Sequence, residues 1–310
     1  MKAVFISNIP SPYQIKLSEE LSKYMDVSFW FLTTIEESHS KRPNYWEMIL
    51  PKTCRLIPSI FKKRELFYAQ SLGKELDSFN PDIVWLGGSW TMIAFHQGFH
   101  WARKNKKKIV FGPCEPSKQN QKLINKIGKG VLFKRKLKYA DLILNVGYRS
   151  LDSNTVINSA EKGKIFTYAA DLKDKLKQPL RKCIKGQVRF LYSGSLSKRF
   201  RIEDMLQVFE NLRRSEENVS LTISGFGLER EWLEERVKNS ELLKHSVNWR
   251  DATSWNDIST IYSENHVLVN FAEYSGWGLV VPEAMASGMG IIAARNIEAA
   301  RHLVINRVNG

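Results

Sequence analysis

The stretch YSGWGLVVPEAMASGMGII, residues 274–292, joins a glycine-containing loop to a short helical segment and a second pair of glycines. The apolar run HVLVNFA lies just before it and has the composition of a β-strand. Pro282 suits a first helical turn because it lacks an amide hydrogen, and Gly288 suits a helix end. We therefore predict a strand, a loop and a helix that begins near Pro282. Backbone N–H groups at such a helix start can hold a phosphate, and the Glu283 carboxylate can accept hydrogen bonds from hydroxyls. An ordinary strand-loop-helix turn with a capping glutamate is the alternative.

Apolar strands alternate with helical patterns along the rest of the chain. Helical patterns occur in YQIKLSEELSKYM and at residues 202–212. Such alternation is typical of a parallel sheet that is covered on both faces, and it predicts an α/β protein. The other strand-like segments are KAVFISN, DVSFWFL, DIVWLGG, KKIVFG, DLILNVG, VRFLYSG and VSLTISGFG.

The polar, lysine-rich segment DLKDKLKQPLRKCIKGQ, residues 171–187, interrupts the alternation. Its Pro179 and Gly186 add to a composition that is typical of a linker. We expect residues 1–170 and residues 188–310 to form two doubly wound, Rossmann-like domains that face each other across a ligand cleft. The alternation stops soon after GMGIIAA, so the second domain is expected to be incomplete at its C-terminus.

The chain has 310 residues and a formal net charge of +15, which predicts an anionic partner. Nucleic acid is disfavoured, because the sequence lacks a zinc finger, a recognition-helix pattern and a basic strand with interleaved aromatic residues. Acidic lipid and phosphorylated small molecules remain. The three cysteines show no CxxC spacing and the six histidines show no metal spacing, so we expect no metal site and a reducing compartment. No segment reaches the ~20 apolar residues of a membrane span.

Several segments resemble one family. GWGLVVPEAMASGMGII resembles the donor-site motif of the retaining, nucleotide-sugar-dependent glycosyltransferases of the GT-B fold, family 4 or group 1. EAARHLVINRVNG, SNIPSPYQIKLSEEL and KIFTYAADL resemble other parts of that family, so the resemblance covers nearly the whole chain. It implies a cytoplasmic enzyme that moves a sugar, with retention of configuration, from a nucleoside diphosphate sugar to a cell-surface glycan or lipid-linked acceptor. It implies no cofactor.

The resemblance also implies roles for residues of the opening stretch. Glu283 would accept hydrogen bonds from the nucleotide ribose. The family usually has a second glutamate beside the donor sugar, and Ser275 occupies that position here, with Glu273 two residues earlier. The residues implied to contact the donor in this loop are Gly276, Gly278, Leu279 and Glu283.

The segment YSGSLSKRFRIEDML departs from the family pattern, which has an arginine and then a lysine-glycine pair. Those cations balance the diphosphate charge and stabilise the leaving group. Ser195 stands where the arginine is common, and Phe200 stands where the lysine is expected. A solvated charge cluster at a helix start is the alternative reading of the neighbouring cations. The cations that remain within reach of a diphosphate are Lys198, Arg199 and Arg201.

The first domain offers a candidate at the end of a strand, in FGPCEPSKQ. Many relatives have a histidine there, whereas this chain has Cys114, Glu115 and Ser117. Glu115 is a candidate for orienting the acceptor or for proton transfer. An exposed carboxylate without a role is the alternative.

The segment QKLINKIGKGVLFKRKLKY, residues 121–139, has seven basic residues and no acidic one. Its apolar residues fall at roughly helical spacing. A basic amphipathic helix is typical of contact with an anionic membrane, here the inner face of the cell membrane. A helix packed on the sheet, with its lysines in solvent, is the alternative.

Two functions stay open on the sequence. One is an active, retaining hexosyl-type glycosyltransferase. The other is a degenerate relative that binds a nucleotide or glycan without turnover, which the altered positions Ser275 and Phe200 favour.

Overall fold

The computed structural model divides into two compact units, Met1–Tyr168 and Ala169–Gly310. Each unit contains one parallel β-sheet. The predicted linker at residues 171–187 lies outside the described residues except for its last two. The structure describes residues 1–34, 49–60, 66–89, 91–115, 134–155, 160–169, 186–216, 218–251 and 258–310.

The sheet of the first unit has the strand order β3-β2-β1-β4-β5-β6-β7, and every pairing in it is parallel. The order reverses between β1 and β4, which is the arrangement of a doubly wound sheet. The strands are β1 Lys2–Ser7, β2 Asp26–Phe31, β3 Cys54–Leu56, β4 Ile83–Leu86, β5 Lys108–Cys114, β6 Leu142–Asn145 and β7 Gly163–Ile165.

The helices of the first unit alternate with these strands. Phe95 and Phe99 stand four residues apart on one helix, and both stack against Phe111 of β5. This helical spacing lets one apolar face cover the sheet. The described helices are α1 Pro12–Leu21, α2 Leu72–Phe79, α3 Ile93–Lys104, α4 Lys134–Leu137 and α5 Gly147–Thr155.

The sheet of the second unit has the order β10-β9-β8-β11-β12, again with parallel pairings only. The described elements are β8 Val188–Ser195, α6 Ile202–Ser215, β9 Val219–Phe226, α7 Arg230–Lys238, β10 Val247–Arg250, α8 Ile258–Glu264, β11 Val267–Asn270, α9 Val280–Ala286, β12 Gly290–Ala293 and α10 Glu298–Leu303.

Helix α6 shows how the sequence builds these elements. Ile202, Met205, Leu206 and Phe209 recur at helical spacing and are buried in the core of the second unit. Acidic residues occupy the first turn and basic residues the last, which suits the helix dipole. The predicted helix at 202–212 is therefore confirmed, and it continues to Ser215.

The helix of the opening stretch begins earlier than predicted. α9 starts at Val280, and Pro282 is its third residue. Proline is tolerated there because the N–H groups of the first turn have no partner within the helix. The predicted end is confirmed, since Gly288 follows the helix with a left-handed φ of +64°.

Of the helices in the described residues, none is long and apolar enough to cross a membrane.

Candidate donor-binding site

The order of the second sheet reverses between β8 and β11. These strands pair directly, with Phe190 opposite Val267. Ligands of open α/β sheets bind at the carboxyl ends of the strands where the order reverses. The loop after β8, residues 196–201, and the loop after β11, residues 271–279, both leave from that edge. They are the two segments in which the sequence predicted donor contacts.

A backbone hydrogen bond joins the two loops. The N–H of Glu273 donates to the carbonyl oxygen of Arg199 across 2.9 Å. The Arg199 guanidinium lies 4.5 Å from the centre of the Phe200 ring and 5.0 Å from that of Tyr274. Cation–π contacts of this kind hold a guanidinium in place and leave its charge intact. Arg199 therefore contacts one aromatic ring from each of the two loops.

A cavity of about 560 Å³ lies beside these loops within the second unit. Lys198 and Arg201 line it from the turn after β8, and Glu273 lines it from the loop after β11. Leu228 contributes apolar surface from the β9–α7 connection, and Trp232 contributes it from α7. The structure therefore brings together two of the predicted donor cations with the carboxylate nearest to Ser275 in sequence.

Acidic side chains outnumber basic ones in this cavity. Glu203, Asp204 and Glu229 line it together with Glu273, against two cations. Arg201 donates a hydrogen bond to the Asp204 carboxylate, which neutralises part of its charge. Carboxylates accept hydrogen bonds from hydroxyl groups but repel phosphate. The cavity therefore offers carboxylates that can accept hydrogen bonds from hydroxyl groups, and its two cations both lie on the turn after β8.

Glu283 is almost fully buried on α9, with 5% of its surface exposed. The Tyr262 hydroxyl donates a hydrogen bond to its Oε2 atom across 2.7 Å. Burial raises the pKa of Glu283 to about 7, and the hydrogen bond from Tyr262 opposes that rise. The predicted ribose contact thus falls on a carboxyl group that titrates near neutral pH.

Tyr262 was missed by the sequence analysis. It lies on α8 and is buried with Ile261. A signal was present, because a tyrosine within an apolar helix face must place its hydroxyl against a buried polar partner. The sequence alone did not identify that partner, since α8 and α9 are separated by β11.

The loop that carries Ser275 is anchored on the segment before α10. The Ser275 N–H donates to the carbonyl oxygen of Asn296 across 3.1 Å, and Ser275 forms an isolated parallel bridge with Ile297. Gly278 has a φ of +89°, and a Cβ atom there would lie 2.7 Å from Cγ2 of Ile297. The backbone of Gly276, Gly278 and Leu279 is therefore held in a fixed path, and the Leu279 carbonyl accepts the Glu283 N–H.

The altered positions after β8 have structural explanations. The carbonyl oxygen of Ser195 accepts a hydrogen bond of 2.7 Å from the Tyr192 hydroxyl. Phe200 packs against the core of the second unit and meets the Tyr192 ring edge-on, with 6.3 Å between ring centres. The position where a lysine was expected thus serves packing, and positive charge comes from the neighbouring residues instead.

The first unit places Glu115 directly after β5, where its side chain is exposed. Burial raises the pKa of the Tyr168 hydroxyl, with smaller contributions from Tyr13, Glu115 and Cys114. The Tyr13 and Tyr168 rings lie 4.7 Å apart. The charge of Glu115 thus acts on the Tyr168 hydroxyl, while Ser117 lies outside the described residues.

The basic segment 121–139 lies mostly outside the described residues. Its described part includes α4, in which Leu137 is fully buried in the core of the first unit. The Lys136 ammonium lies 4.7 Å from the centre of the Phe99 ring. This end of the segment packs on the first unit, which agrees with the alternative prediction of a helix packed on the sheet.

Within the part of the chain that the structure describes, no group of three or more His, Cys, Asp or Glu side chains could hold a metal ion.

Known proteins resemble parts of this chain in sequence. Residues 169–310 match the model of the family described as "Glycosyl transferases group 1". The glycogen synthase of Mycobacterium tuberculosis (strain CDC 1551 / Oshkosh) is 28% identical over 127 residues, which is 40% of this chain and 30% of that relative. The match therefore spans less than a third of the length of the curated relative.

Solved structures resemble the chain over its full length. The lipopolysaccharide outer core galactosyltransferase WaaB is 20% identical, with a TM-score of 0.69, and the match covers 100% of this chain and 85% of WaaB. Anabaena HepE in complex with UDP and glucose is 15% identical, with a TM-score of 0.71 and the same coverage. Residues 169–310 are therefore similar in sequence to the glycosyl transferases group 1 family, and the chain as a whole has the GT-B fold.

Proposed function

We propose that this chain transfers a sugar from a nucleoside diphosphate sugar to a glycan or lipid-linked acceptor, with retention of configuration. The observation that carries the proposal is the pair of loops at the point where the second sheet reverses its order. A backbone hydrogen bond between Glu273 and Arg199 joins the two loops. The loop after β8 carries Lys198 and Arg201, and the loop after β11 leads to the helix that carries Glu283. The HepE complex with UDP and glucose supports UDP as the nucleotide to test first.

The charge of each side chain decides which part of the donor we assign to it. Lys198, Arg199 and Arg201 balance the diphosphate and the charge that develops on the leaving nucleotide. The backbone of the loop before α9 faces the phosphates, and Glu283 accepts hydrogen bonds from the ribose hydroxyls. Ser275 stands beside the donor sugar and contributes a hydroxyl in place of a charge.

The acceptor side of the proposal rests on the first unit. Glu115 is exposed at the carboxyl end of β5. A carboxylate in that place can orient an acceptor hydroxyl or take up its proton. We propose that the enzyme acts in the cytoplasm, at the inner face of the cell membrane, where a lipid-linked acceptor would be available.

Calorimetry with UDP and GDP, followed by transfer and hydrolysis assays with a panel of nucleotide sugars, tests this function. Binding of one nucleotide together with turnover of its sugar derivative is the expected result. If the chain neither binds a nucleotide nor turns over any donor, the proposal is wrong.

A second candidate is a degenerate relative that binds the nucleotide without turnover. It is favoured by Phe200, which is partly buried against the core of the second unit, and by Ser275, whose backbone is fixed against Asn296 and Ile297. Tight nucleotide binding without any transfer or hydrolysis would select this function over the first.

Membrane contact is tested separately through residues 121–139. Replacement of Lys122, Lys126 and Lys129 by glutamate should weaken binding to vesicles that contain anionic lipid, because each basic residue near such a surface contributes about 1 kcal/mol. Neutral phosphatidylcholine vesicles are the control. Equal binding of the wild type to both kinds of vesicle would contradict the membrane proposal and leave the transferase proposal intact.

A further inference from the structure

Tyr262 and Glu283 form a buried polar pair that links two helices of the second unit. Tyr262 has 1% of its surface exposed and Glu283 has 5%. The Tyr262 hydroxyl donates to Oε2 of Glu283 across 2.7 Å. Burial raises the pKa of the Tyr262 hydroxyl, and the side chain of Ser193, near the end of β8, opposes part of that rise. A buried polar contact thus joins α8 to α9.

This pair has a steric consequence for the carboxylate. A glutamate side chain has several rotatable bonds, whereas a tyrosine ring packed in a core places its hydroxyl in one position. A hydrogen bond from such a hydroxyl fixes one carboxylate oxygen and leaves the other available to a further donor. The orientation of the carboxylate is thus set by a contact between α8 and α9.

The pair also has an electrostatic consequence. Burial favours the neutral form of a carboxyl group, and a hydrogen bond donated to the carboxylate favours the charged form. For Glu283 the first effect is the larger and the Tyr262 hydroxyl opposes it. Removal of the hydroxyl should therefore make Glu283 harder to ionise.

We propose that Tyr262 is a positioning residue that holds the carboxylate of Glu283 in the orientation needed to accept hydrogen bonds from a nucleotide ribose, with Ser193 as its support. This inference rests on the proposed function, which assigns the ribose to Glu283. It adds two residues that neither the motif nor the sequence comparison identifies.

The substitution Tyr262→Phe tests the proposal, because it removes the hydroxyl and keeps the ring. Binding of UDP and 2′-deoxy-UDP is compared by calorimetry. We expect the wild type to favour UDP over 2′-deoxy-UDP by about 10- to 100-fold, the contribution of one hydrogen bond to a charged group. In Tyr262→Phe the affinity for UDP should fall about 10-fold while that for 2′-deoxy-UDP changes little. Unchanged discrimination between the two nucleotides in the variant would overturn the proposal.

Tyr192→Phe is the matched control. Tyr192 is another buried tyrosine of the same unit, and its hydroxyl donates to the backbone carbonyl of Ser195. Loss of that bond should cost stability but should leave the ratio of the two affinities unchanged. An equal loss of discrimination in both variants would show that the effect is a general loosening of the core, and it would also overturn the proposal. Should Tyr262→Phe fail to fold, Ser193→Ala offers a milder test, with a smaller loss of discrimination expected.

A second measurement separates this inference from the proposed function. Titration of Glu283, followed by carbon NMR of the labelled carboxyl group, needs no ligand. Its midpoint should move to higher pH in Tyr262→Phe. If the wild type binds neither nucleotide, the proposed function fails and the ribose role of the pair fails with it. An unmoved midpoint in a chain that does bind UDP would overturn the positioning role alone.

Discussion

The backbone N–H of Glu273 donates a hydrogen bond of 2.9 Å to the carbonyl oxygen of Arg199 and so joins the loop after β11 to the turn after β8. Because the link is between backbone groups, side chains of either loop can be replaced without breaking it. Lys198 and Arg201 flank Arg199 and line the adjacent cavity. Their charges can therefore be removed one at a time while the loops keep their positions.

We expect Lys198→Ala to weaken UDP binding about 10- to 100-fold, because a hydrogen bond to a charged group contributes about 1.5–3 kcal/mol. Arg201→Asn should weaken it less, since Arg201 already donates to Asp204. Asparagine is chosen because residue 201 has a left-handed φ of +51°, which asparagine tolerates. Calorimetry at low and moderate salt measures both effects.

Lys238→Ala is the control for these two variants. Lys238 is exposed in the last turn of α7 and does not line the cavity. The Lys238→Ala substitution also removes one positive charge from the second unit, and it should leave the dissociation constant for UDP unchanged. Equal losses at residues 198 and 238 would mean that only the overall charge of the unit attracts the nucleotide.

The pKa of Glu283 predicts a pH-dependent stability. Because its folded value of about 7 exceeds the ordinary 4.5, the unfolded chain binds fewer protons than the folded one between these values. Glu283 therefore destabilises the fold by on the order of 3 kcal/mol above pH 7, at about 1.4 kcal/mol per pKa unit, and this cost disappears below pH 4.5. Glu283→Gln, which stays neutral, should gain urea resistance relative to the wild type at about pH 8 more than at about pH 5. An equal gain in urea resistance at both pH values would contradict the raised pKa of Glu283.

Restoring the expected carboxylate distinguishes a weak enzyme from a binding protein. Ser275→Glu should raise the rate of donor turnover if the missing charge limits the reaction, and Ser275→Gln, of similar size, should not. Phe200→Lys should fail as a parallel rescue, because a lysine there loses packing against the core, at a cost of about 0.5–3 kcal/mol. Turnover assays and urea unfolding of the variants measure the two effects. A faster Phe200→Lys enzyme with unchanged stability would show that the packing role assigned to Phe200 is wrong.

The close contact between β8 and β9 predicts a strong effect of one methyl group. A Cβ atom at Gly225 would lie 1.9 Å from the carbonyl oxygen of Gly194, so the two strand ends would have to separate. Gly225→Ala should cost at least about 2 kcal/mol of stability, in the range of overpacked interiors. Gly290→Ala is the control, because its Cβ would meet only Val267 at 3.8 Å. Similar urea midpoints for the two variants would contradict this account.

The sequence predicted the class of the fold because apolar runs mark buried parallel strands. It predicted β1, β2, β4, β5, β6, β8, β9 and β11, and each is confirmed. It missed β3, whose sequence Cys-Arg-Leu is short and has two exposed residues, and also β7 and β10. Brief edge strands carry too few apolar residues to stand out from loops.

The candidate site was predictable where a single segment carries it. The loop before α9, with Glu283 in the first turn of the helix, follows from local glycine and proline chemistry and from the family motif. The Tyr262 hydroxyl, the link between Glu273 and Arg199 and the packing of Phe200 all join segments that are distant in sequence. Such contacts depend on tertiary structure, which a pattern within one segment does not contain.

The pairing of β8 with β11 has a consequence for folding kinetics. β8 also pairs with β9, the next strand along the chain, and only the short segment that includes α6 must close before that contact forms. The pairing of Phe190 with Val267 requires closure of a far longer loop, and closure entropy rises with loop length. The donor loops are thus expected to meet late in folding, after β8 and β9 have paired. A bound nucleotide would then mainly lower the rate of unfolding, and it would change the rate of folding little.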